Sequence, residues 1–348
     1  MDFDTASILA VDGLSSGAVY ILIAIGTVLI FTVTRVVFIP FGDIAAFSAL
    51  TLAALEANRQ PGTIGLVAIL ACLAFALELT SLARTKRLHQ LWRAALFYLV
   101  LPLSLMSLVW LSAPLYQTSM VLRIVFTLIL IVPIAPLLDR IVYRPIADGS
   151  VLLLLIVSMA LHFALVGIGL LFFGAEGVRT QPLTEEIFFV GNVVVTGQAI
   201  LIMMAAVVFS LLLYLFFEFT LVGKSLRATA INRTGARLMG IRPERSGAIA
   251  YIVGSLMAGV SGILIAPVNT IFYDSGFLLG LRAFVGAIIG GMVSYPGTLV
   301  GSLFVGILES FSSFYDSSFR DVIVFSLLIP ILVFRSFKTA HSEEHDEE

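Results

Sequence analysis

Long apolar runs alternate with short polar segments along most of this chain. A helix needs about 20 mostly apolar residues to cross a bilayer. We therefore predict an all-α, polytopic transmembrane helical bundle with roughly nine to eleven spans. The runs are Ile8–Val33, Phe41–Ala57, Thr63–Ala83, Ala94–Ala113, Ser119–Leu138, Ser150–Phe173, Thr196–Phe217, Ser246–Val268, Phe277–Val293, Gly297–Phe314 and Val322–Phe334. The second and ninth runs are short, so each is either a short span or a re-entrant, broken segment.

Composition supports lipid as the solvent for much of this chain. Hydrophobic residues make up 59% of it, charged residues 12%, and the mean hydropathy is +1.08. A soluble domain of this length has no interior large enough for so much apolar surface. The single cysteine, Cys72, excludes an intrachain disulfide, and its apolar surroundings predict a buried, inert thiol.

Lys and Arg predict the orientation, because basic residues concentrate in cytoplasmic loops. With the acidic N-terminus outside and one crossing per run, the basic loops all fall inside. The inner bases are Arg84, Lys86, Arg87, Arg93, Arg140, Arg144, the six bases of residues 221–245, Arg335 and Lys338. This predicts an N-out, C-in transmembrane domain over residues 1–337 and an acidic, disordered tail over residues 338–348.

Small residues recur at four-residue spacing inside several runs. This spacing lines them along one helix face and lets two backbones approach closely. We predict helix packing at three pairs, namely Gly13/Gly17, Gly286/Gly290 and Gly297/Gly301.

The polar segment 221–245 carries six bases and one acid. We predict two short helices in it, the first over about Ser225–Ile231. The second is capped by Thr234 and closed by a left-handed Gly240, and Pro243 leads into the next span. Charge alone leaves two interpretations open, a solvated loop beside anionic lipid or a segment that docks on a partner protein.

Two charged residues lie inside predicted spans, Arg282 in the ninth run and Glu309 in the tenth. Charges in the membrane are costly and tend to face the bundle interior or a watery path. We predict a structural ion pair between them; the alternative is that either borders a solute path. Ser158 and His162 lie one turn apart, which favours interhelical hydrogen bonds.

Several candidate motifs for phosphate binding, metal binding or catalysis lack a residue or a spacing that their chemistry requires. Gly223–Ser225 resembles the end of a phosphate-binding loop, but Glu218 stands where the first glycine belongs. The histidines His89, His162, His341 and His345 show no metal-ligand spacing outside the tail, and no nucleophile or acid–base pair is present. We therefore expect neither a metal site nor an enzyme.

The ordered set of motifs resembles the branched-chain amino acid ABC transporter permease family, and most closely its first paralogous subunit. Within the basic segment the resemblance rests on Leu226–Ala230, Asn232 and Ala236–Ile241. Elsewhere it rests on Gly13–Leu14, Gly17, Tyr20, Leu22–Gly26, Ile30–Phe31, Arg35–Val37, Tyr143–Ile146, Ser158, Phe173–Glu176, Gly280–Val285, Gly290–Gly291, Ser294, Pro296–Gly297, Gly306–Glu309, Arg320–Asp321 and Phe334–Arg335.

The resemblance implies a subunit of an ATP-driven importer in the bacterial inner membrane. The implied partners are a second permease subunit, cytoplasmic ATPase subunits and a periplasmic solute-binding protein, besides membrane lipid and without nucleic acid. The chain itself would hold no cofactor, because the ATPases bind ATP. The implied ATPase-coupling residues are Lys224, Arg227, Ala228, Asn232, Ala236, Arg237 and Gly240.

Two departures from the family pattern matter. Apolar residues replace polar ones in the stretch after Val37, so the solute is less polar than, or different from, leucine, isoleucine or valine if that stretch borders its path. The pattern of residues from about 84 to 116 indicates a basic loop and an apolar span that are inserted relative to the family. The residues expected along a solute path are Phe38, Phe41, Gly42, Asp43 and Ser158.

Two other functional classes stay open at this stage. An ion-gradient-driven secondary transporter needs an ionisable site near the middle of the membrane. No acidic residue lies at the centre of a predicted span, which disfavours it. A membrane enzyme or scaffold is the other class, and the missing catalytic cluster disfavours the enzyme.

Overall fold

A computed structural model of the chain describes residues 3–84, 91–111, 119–147, 149–190, 193–327, 329–331 and 333. The predicted acidic tail and the bases Lys86, Arg87, Arg335 and Lys338 lie outside the described residues, as does part of the inserted segment 84–116.

The described residues form a polytopic helical bundle, as predicted. Its helices are α1 (Phe3–Thr34), α2 (Phe41–Glu56), α3 (Thr63–Arg84), α4 (Leu91–Ala95), α5 (Leu101–Leu111), α6 (Met120–Ile131), α7 (Ile134–Leu138), α8 (Val151–Phe173), α9 (Gly197–Phe219), α10 (Leu221–Ile231), α11 (Arg233–Leu238), α12 (Pro243–Ile265), α13 (Gly276–Gly290), α14 (Tyr295–Tyr315) and α15 (Arg320–Ser326). A π-helical turn, Leu96–Val100, joins α4 to α5. Another π turn, Asp139–Tyr143, and a 3₁₀ turn, Arg144–Ile146, continue α7.

Seven helical segments of the described chain are long and apolar enough to cross a membrane. They are α1, α3, Met120–Ile146, α8, α9, α12 and α14. The helices α2 and α13 are shorter, 16 and 15 residues, as the sequence predicted for the second and ninth runs. Within Met120–Ile146 the helix is interrupted at Pro133, which has no backbone N–H to donate. The N-out, C-in orientation stays a prediction.

Burial separates central helices from peripheral ones. The most apolar stretch of α1 is 83% buried and that of α12 is 72% buried, against 22% for α8 and α9. Exposed residues on the peripheral helices are large and apolar, as lipid contact requires. Cys72 on α3 follows this pattern: it is exposed, so the prediction of a buried thiol was wrong. A peripheral membrane helix turns apolar residues outward as well as inward.

The helix α2 begins inside the bundle rather than at its surface. The Phe41 ring packs against two glycines. A Cβ added at Gly26 would lie 2.2 Å from the ring, and one added at Gly254 would lie 3.1 Å from it. Gly254 is the middle residue of α12. The chain therefore turns back at Pro40 and starts α2 at mid-depth.

The predicted glycine pairs lie at close backbone contacts. A Cβ at Gly301 would lie 2.3 Å from the Gly286 carbonyl oxygen, and one at Gly297 2.5 Å from that of Gly290. These contacts join α13 to α14. In the same way α1 meets α14, where Gly13 and Gly17 face the backbone of residues 302–307. Side chains larger than hydrogen have no room there.

A small β-hairpin adds to the helical bundle. Strands β1 (Ile187–Val190) and β2 (Val193–Thr196) pair antiparallel, with Ile187 opposite Thr196. An isolated bridge between Val178 and Ile271 ties the preceding loop to the α12–α13 connection. The sequence analysis did not predict either feature within the polar stretch 174–196.

Candidate functional site

The basic segment forms two helices that leave the bundle and return to it. The helix α10 begins at Leu221, earlier than the predicted Ser225, because Thr220 caps it: its Oγ1 accepts a hydrogen bond from the Gly223 N–H at 2.9 Å. Thr220 also ends α9 and is the single extended residue between the two helices. The chain therefore turns sharply where the span ends.

Asn232 divides α10 from α11. Its backbone is extended, and its Oδ1 accepts a hydrogen bond from the Gly235 N–H at 2.8 Å. The prediction that Thr234 caps the second helix was wrong. Asn232 is the capping residue, and Thr234 lies inside the helix. Gly240 has a φ of +83°, which confirms the predicted left-handed residue, and Pro243 begins α12.

One face of this segment packs on the bundle. Leu226 is fully buried in the core and Ala236 is buried. The Thr229 hydroxyl donates to Ser246 Oγ at 3.2 Å, which links α10 to the start of α12. Helices this short are marginal alone, so these contacts hold them in place.

The opposite face is exposed and combines apolar with basic side chains. Ile231 is 79% exposed, Leu238 83% and Met239 83%, and we call these three residues the docking face. The exposed bases around it are Lys224, Arg227, Arg237, Arg242 and Arg245. Two of them contact nearby acids, Arg227 with Glu218 and Arg237 with Glu244, each at 3.2 Å.

The coupling residues that the family resemblance implied did not include the docking face; they were Lys224, Arg227, Ala228, Asn232, Ala236, Arg237 and Gly240. The structure brings all seven into this segment, with Ala228 half-buried and Ala236 buried. The signal for the missed residues was available: Leu238 and Met239 are adjacent apolar residues beside the helix-ending Gly240 in an otherwise basic loop. A one-turn helix cannot bury both of its sides.

An aromatic cluster lies between this segment and the middle of the bundle. The ring centroid of Phe38 lies 5.6 Å from that of Tyr143 and 5.2 Å from that of Tyr251, both edge-to-face. The Tyr143 hydroxyl is 2.8 Å from Ser158 Oγ on α8, which confirms the predicted interhelical hydrogen bond of Ser158. The cluster thus links α8 and α12 to the turn that precedes α2.

Asp43 and His162 form a buried pair at mid-depth. His162 is the middle residue of α8, and its Nδ1 lies 2.7 Å from Asp43 Oδ2. The side chains are 1% and 5% exposed, and Asp43 Oδ1 has no hydrogen-bond partner among the described residues. The expectation that no acid lies near a span centre was wrong, because Asp43 begins a helix that itself starts at mid-depth.

The five residues predicted along a solute path are all buried. Phe38, Phe41 and Asp43 are each 1% exposed and Ser158 is fully buried. Gly42 packs against α13, where its Cβ would lie 2.0 Å from the Gly276 carbonyl oxygen. Phe38 and Phe41 also line a cavity of about 240 Å³, and the role of the five residues along a path stays a prediction.

A polar cavity of about 560 Å³ opens between α1, α13, α14 and α15. At its inner end Arg282 Nη1 lies 2.8 Å from Glu309 Oε1, so the predicted pair is in contact. Arg282 Nη2 also donates to Asp321 Oδ1 at 2.6 Å, and Glu309 accepts a hydrogen bond from the Tyr20 hydroxyl. The predicted ion pair is therefore confirmed; both residues also line the cavity, and a role along a solute path stays untested.

Comparison with known proteins identifies a family of transport permeases. A family model described as "Branched-chain amino acid transport system / permease component" matches residues 9–332. The high-affinity branched-chain amino acid transport system permease protein LivH of Escherichia coli K12 is 31% identical over 204 residues, which is 56% of this chain and 66% of LivH. No solved structure matches the chain.

Two further relatives agree with this match. The permease protein BraD of the high-affinity branched-chain amino acid transport system of Pseudomonas aeruginosa is 29% identical over 205 residues, 57% of this chain and 67% of BraD. A probable LivH of Methanocaldococcus jannaschii is 30% identical over 179 residues, 49% of this chain and 56% of that protein. The chain thus spans 66% of the length of the LivH relative it matches, just under two thirds.

Proposed function

This chain belongs to the branched-chain amino acid transport permease family, and we propose that it is the membrane-spanning permease subunit of an ATP-driven ABC importer. Its solute is a branched-chain amino acid or a related small organic molecule, carried across the bacterial inner membrane. The other components are a second permease subunit, cytoplasmic ATPase subunits that bind the ATP, and a periplasmic solute-binding protein.

The observation that carries this proposal is the docking face. Ile231, Leu238 and Met239 are exposed in the basic segment between α9 and α12, where the rest of the described chain does not cover them. Exposed apolar residues ringed by charge mark protein interaction sites. Exposed apolar side chains among bases are also typical of segments that lie on a lipid surface; the family match supports the protein partner here.

The basic segment contacts the bundle, so a movement of the segment can be transmitted to the bundle. Leu226 and the Thr229–Ser246 hydrogen bond connect α10 to the core and to α12. A cavity of about 200 Å³, lined by Asp139, Tyr143 and Arg233 among others, lies between α11 and the aromatic cluster. An ATPase dimer that binds one state of these helices more tightly than the other shifts the bundle toward that state.

The proposed solute path involves the two short helices. Discontinuous helices that meet near mid-membrane are typical of transporter binding sites. Here α2 and α13 meet at Gly42 and Gly276, next to Asp43 and below the polar cavity. Opening the packed centre around Phe38 and Phe41 would join that cavity to the opposite side.

A second candidate function has one observation in its favour. The buried Asp43–His162 pair at mid-depth is the kind of ionisable group that proton-driven secondary transporters use. That function predicts uptake driven by an ion gradient alone, whereas the importer needs ATP and a separate ATPase.

The test is co-purification from membranes of cells that make the tagged full chain. We expect an ATPase to co-purify with the wild-type chain and to be lost from a Leu238→Ser/Met239→Ser double variant. Those side chains are exposed, so the variant should fold normally. Thr234→Ala, a change of an exposed polar residue in the same segment, is the matched control and should retain the ATPase. A wild-type chain that brings down no nucleotide-hydrolysing subunit would refute the proposal.

A further inference from the structure

A cleft of about 540 Å³ lies between α5 and the bundle, and we call it the lateral cleft. Phe97 and Tyr98 of the π-helical turn form one wall together with Leu105 of α5, and the other wall comes from α6, α7 and α12. Apart from the Tyr98 hydroxyl, the lining side chains are all apolar. The proposed importer function does not use this cleft, which lies beside the segment predicted to be inserted relative to the family.

Hydrocarbon is the occupant that suits these walls. Ordered water needs two or more polar partners, and the lining side chains offer only one. Interiors are close-packed, so a gap of this size between helices is unfavourable unless something fills it. Phe97, Leu101, Val125 and Ile252 are exposed, so the cleft opens on the outer surface of the bundle, where membrane helices contact lipid.

The length of the lateral cleft distinguishes a lipid chain from a protein helix. Val125 and Leu137, at its two ends on α6 and α7, are twelve residues apart. At the helical rise this separation is about 18 Å. The hydrocarbon core of a bilayer is about 30 Å thick, so the cleft is about as long as one leaflet. An acyl chain fills that length, whereas a transmembrane helix of a partner needs a groove through both leaflets.

An unpaired base lies at one end of the lateral cleft. Arg245, Ala248 and Ile252 have the spacing that puts side chains on one face of α12, and the last two line the cleft. Arg245 is about 4.5 Å farther toward the start of the helix. It is exposed and makes no ion pair with any described residue. The neighbouring acid Glu244 contacts Arg237 instead, at 3.2 Å.

A second polar group lies at the same end. The Tyr98 hydroxyl accepts a hydrogen bond from Arg144 Nη1 at 3.0 Å, which leaves its own proton available to donate. Tyr143 and Tyr251 stack with ring centroids 6.1 Å apart. They are the sequence neighbours of Arg144 and Ile252, so the Tyr98–Arg144 contact lies beside the α12 wall of the cleft, near its charged end.

We propose that the lateral cleft binds an anionic phospholipid. The phosphate lies at Arg245, an ester carbonyl accepts a hydrogen bond from the Tyr98 hydroxyl, and one acyl chain follows α6 and α7. Asp139 is neutralised by Arg144 at 3.1 Å, so Arg245 supplies the unbalanced positive charge at this end. A zwitterionic headgroup carries its own cation next to the phosphate and therefore gains less from Arg245. The inference does not depend on the importer function, because it requires only that the chain lies in a membrane.

The test is native mass spectrometry of the full-length chain in detergent, titrated with two lipids that share the same palmitoyl and oleoyl chains. One is phosphatidylglycerol, which is anionic, and the other is phosphatidylcholine, which is zwitterionic. We expect phosphatidylglycerol to bind about tenfold more tightly, as one charge-assisted hydrogen bond implies. Arg245→Gln should abolish this preference and Arg245→Lys should keep most of it. Ala248→Phe fills the cleft and should weaken both lipids about tenfold or more.

The matched control is Lys224→Gln, which removes an exposed base of the same segment away from the cleft and should leave both affinities unchanged. Unfolding temperatures of all variants are measured alongside, and the two Arg245 variants test the headgroup contact without altering the core. Equal wild-type affinities for the two lipids, or a preference that survives Arg245→Gln, would overturn the inference. So would unchanged lipid binding in a folded Ala248→Phe variant. Cross-linking of a Leu105→Cys/Cys72→Ser variant to a second copy or to another membrane protein would also overturn it, by assigning the cleft to a protein.

Discussion

His162 Nδ1 lies 2.7 Å from Asp43 Oδ2, and this contact joins the midpoint of one span to the start of a helix that begins inside the bundle. Neither side chain has access to water, and Phe277 stacks on the imidazole at a centroid distance of 4.9 Å. The pair thus fixes the short helix α2 against α8 and places α13 beside them. The centre of the bundle depends on this contact.

Removing one member of this pair should destabilise the protein more than removing both. His162→Leu leaves the Asp43 carboxylate buried without a partner, which we expect to lower the free energy of unfolding by roughly 3 kcal/mol. The Asp43→Asn/His162→Leu double variant should lose less. Thermal unfolding in detergent measures both, with the exposed Asp274→Asn as control. A double variant at least as unstable as His162→Leu would show that the pair contributes no mutual stabilisation.

The charged cluster below the polar cavity should depend most on Arg282. Arg282→Gln leaves two acids without their principal cation, one of them 10% exposed. We expect a loss of about 3 kcal/mol or more. Asp321→Asn removes a carboxylate that is 35% exposed, and its cost should stay under about 1 kcal/mol. Equal unfolding temperatures for the two variants would contradict the proposed hierarchy.

The glycine contact between α13 and α14 predicts a strong effect from one methyl group. A Cβ at Gly301 would lie 2.3 Å from the Gly286 carbonyl oxygen, so Gly301→Ala must push the two backbones apart. We expect it to cost about 1 to 3 kcal/mol in thermal unfolding. Gly167→Ala is the matched control, because a Cβ there meets no atom within 4 Å and the helix gains a better helix former. Equal behaviour of the two variants would refute close packing at this site.

The cap of α11 predicts a local effect without a global one. Asn232→Ala removes the acceptor for the Gly235 N–H and should destabilise α11 by about 1 kcal/mol. Amide hydrogen exchange over residues 233–239 should then be about fivefold faster, with the unfolding temperature of the bundle unchanged. Thr234→Ala should leave exchange unaltered, and faster exchange in that variant instead would restore Thr234 as the cap.

Much of the helical architecture follows from hydropathy, because lipid forces every span to be apolar and helical. That rule located α1, α8, α9 and α12 and identified α2 and α13 as short. It does not report depth, which is why Asp43 looked like a residue at the end of a span. Depth became visible only when Phe41 was seen against Gly254, the midpoint of α12.

The candidate site was predicted where it depends on local sequence and missed where it depends on helix rotation. The left-handed Gly240 and the Arg282–Glu309 contact were predicted from the sequence. The addition of Tyr20, Asp321 and Arg320 to that contact was not, since one chain does not reveal which faces of α1 and α15 turn inward. The docking face was not predicted, because the bases beside it give the stronger signal in the sequence.

The aromatic residues that follow Val37 bear on the nature of the solute. Phe38 and Phe41 are buried in the bundle and form an edge-to-face pair with ring centroids 6.4 Å apart. If the solute passes between them, an aliphatic or aromatic side chain suits this environment better than a polar one.

Uptake of labelled leucine into proteoliposomes that contain the co-purified assembly tests the central claim most directly. Because conformational switching is assigned to ATPases acting on α10 and α11, we predict uptake that requires ATP hydrolysis and the solute-binding protein, that persists when proton and sodium gradients are collapsed, and that is lost in the Leu238→Ser/Met239→Ser variant. Uptake driven by an imposed ion gradient in the absence of ATP would contradict the account and identify the Asp43–His162 pair as the coupling site of a secondary transporter.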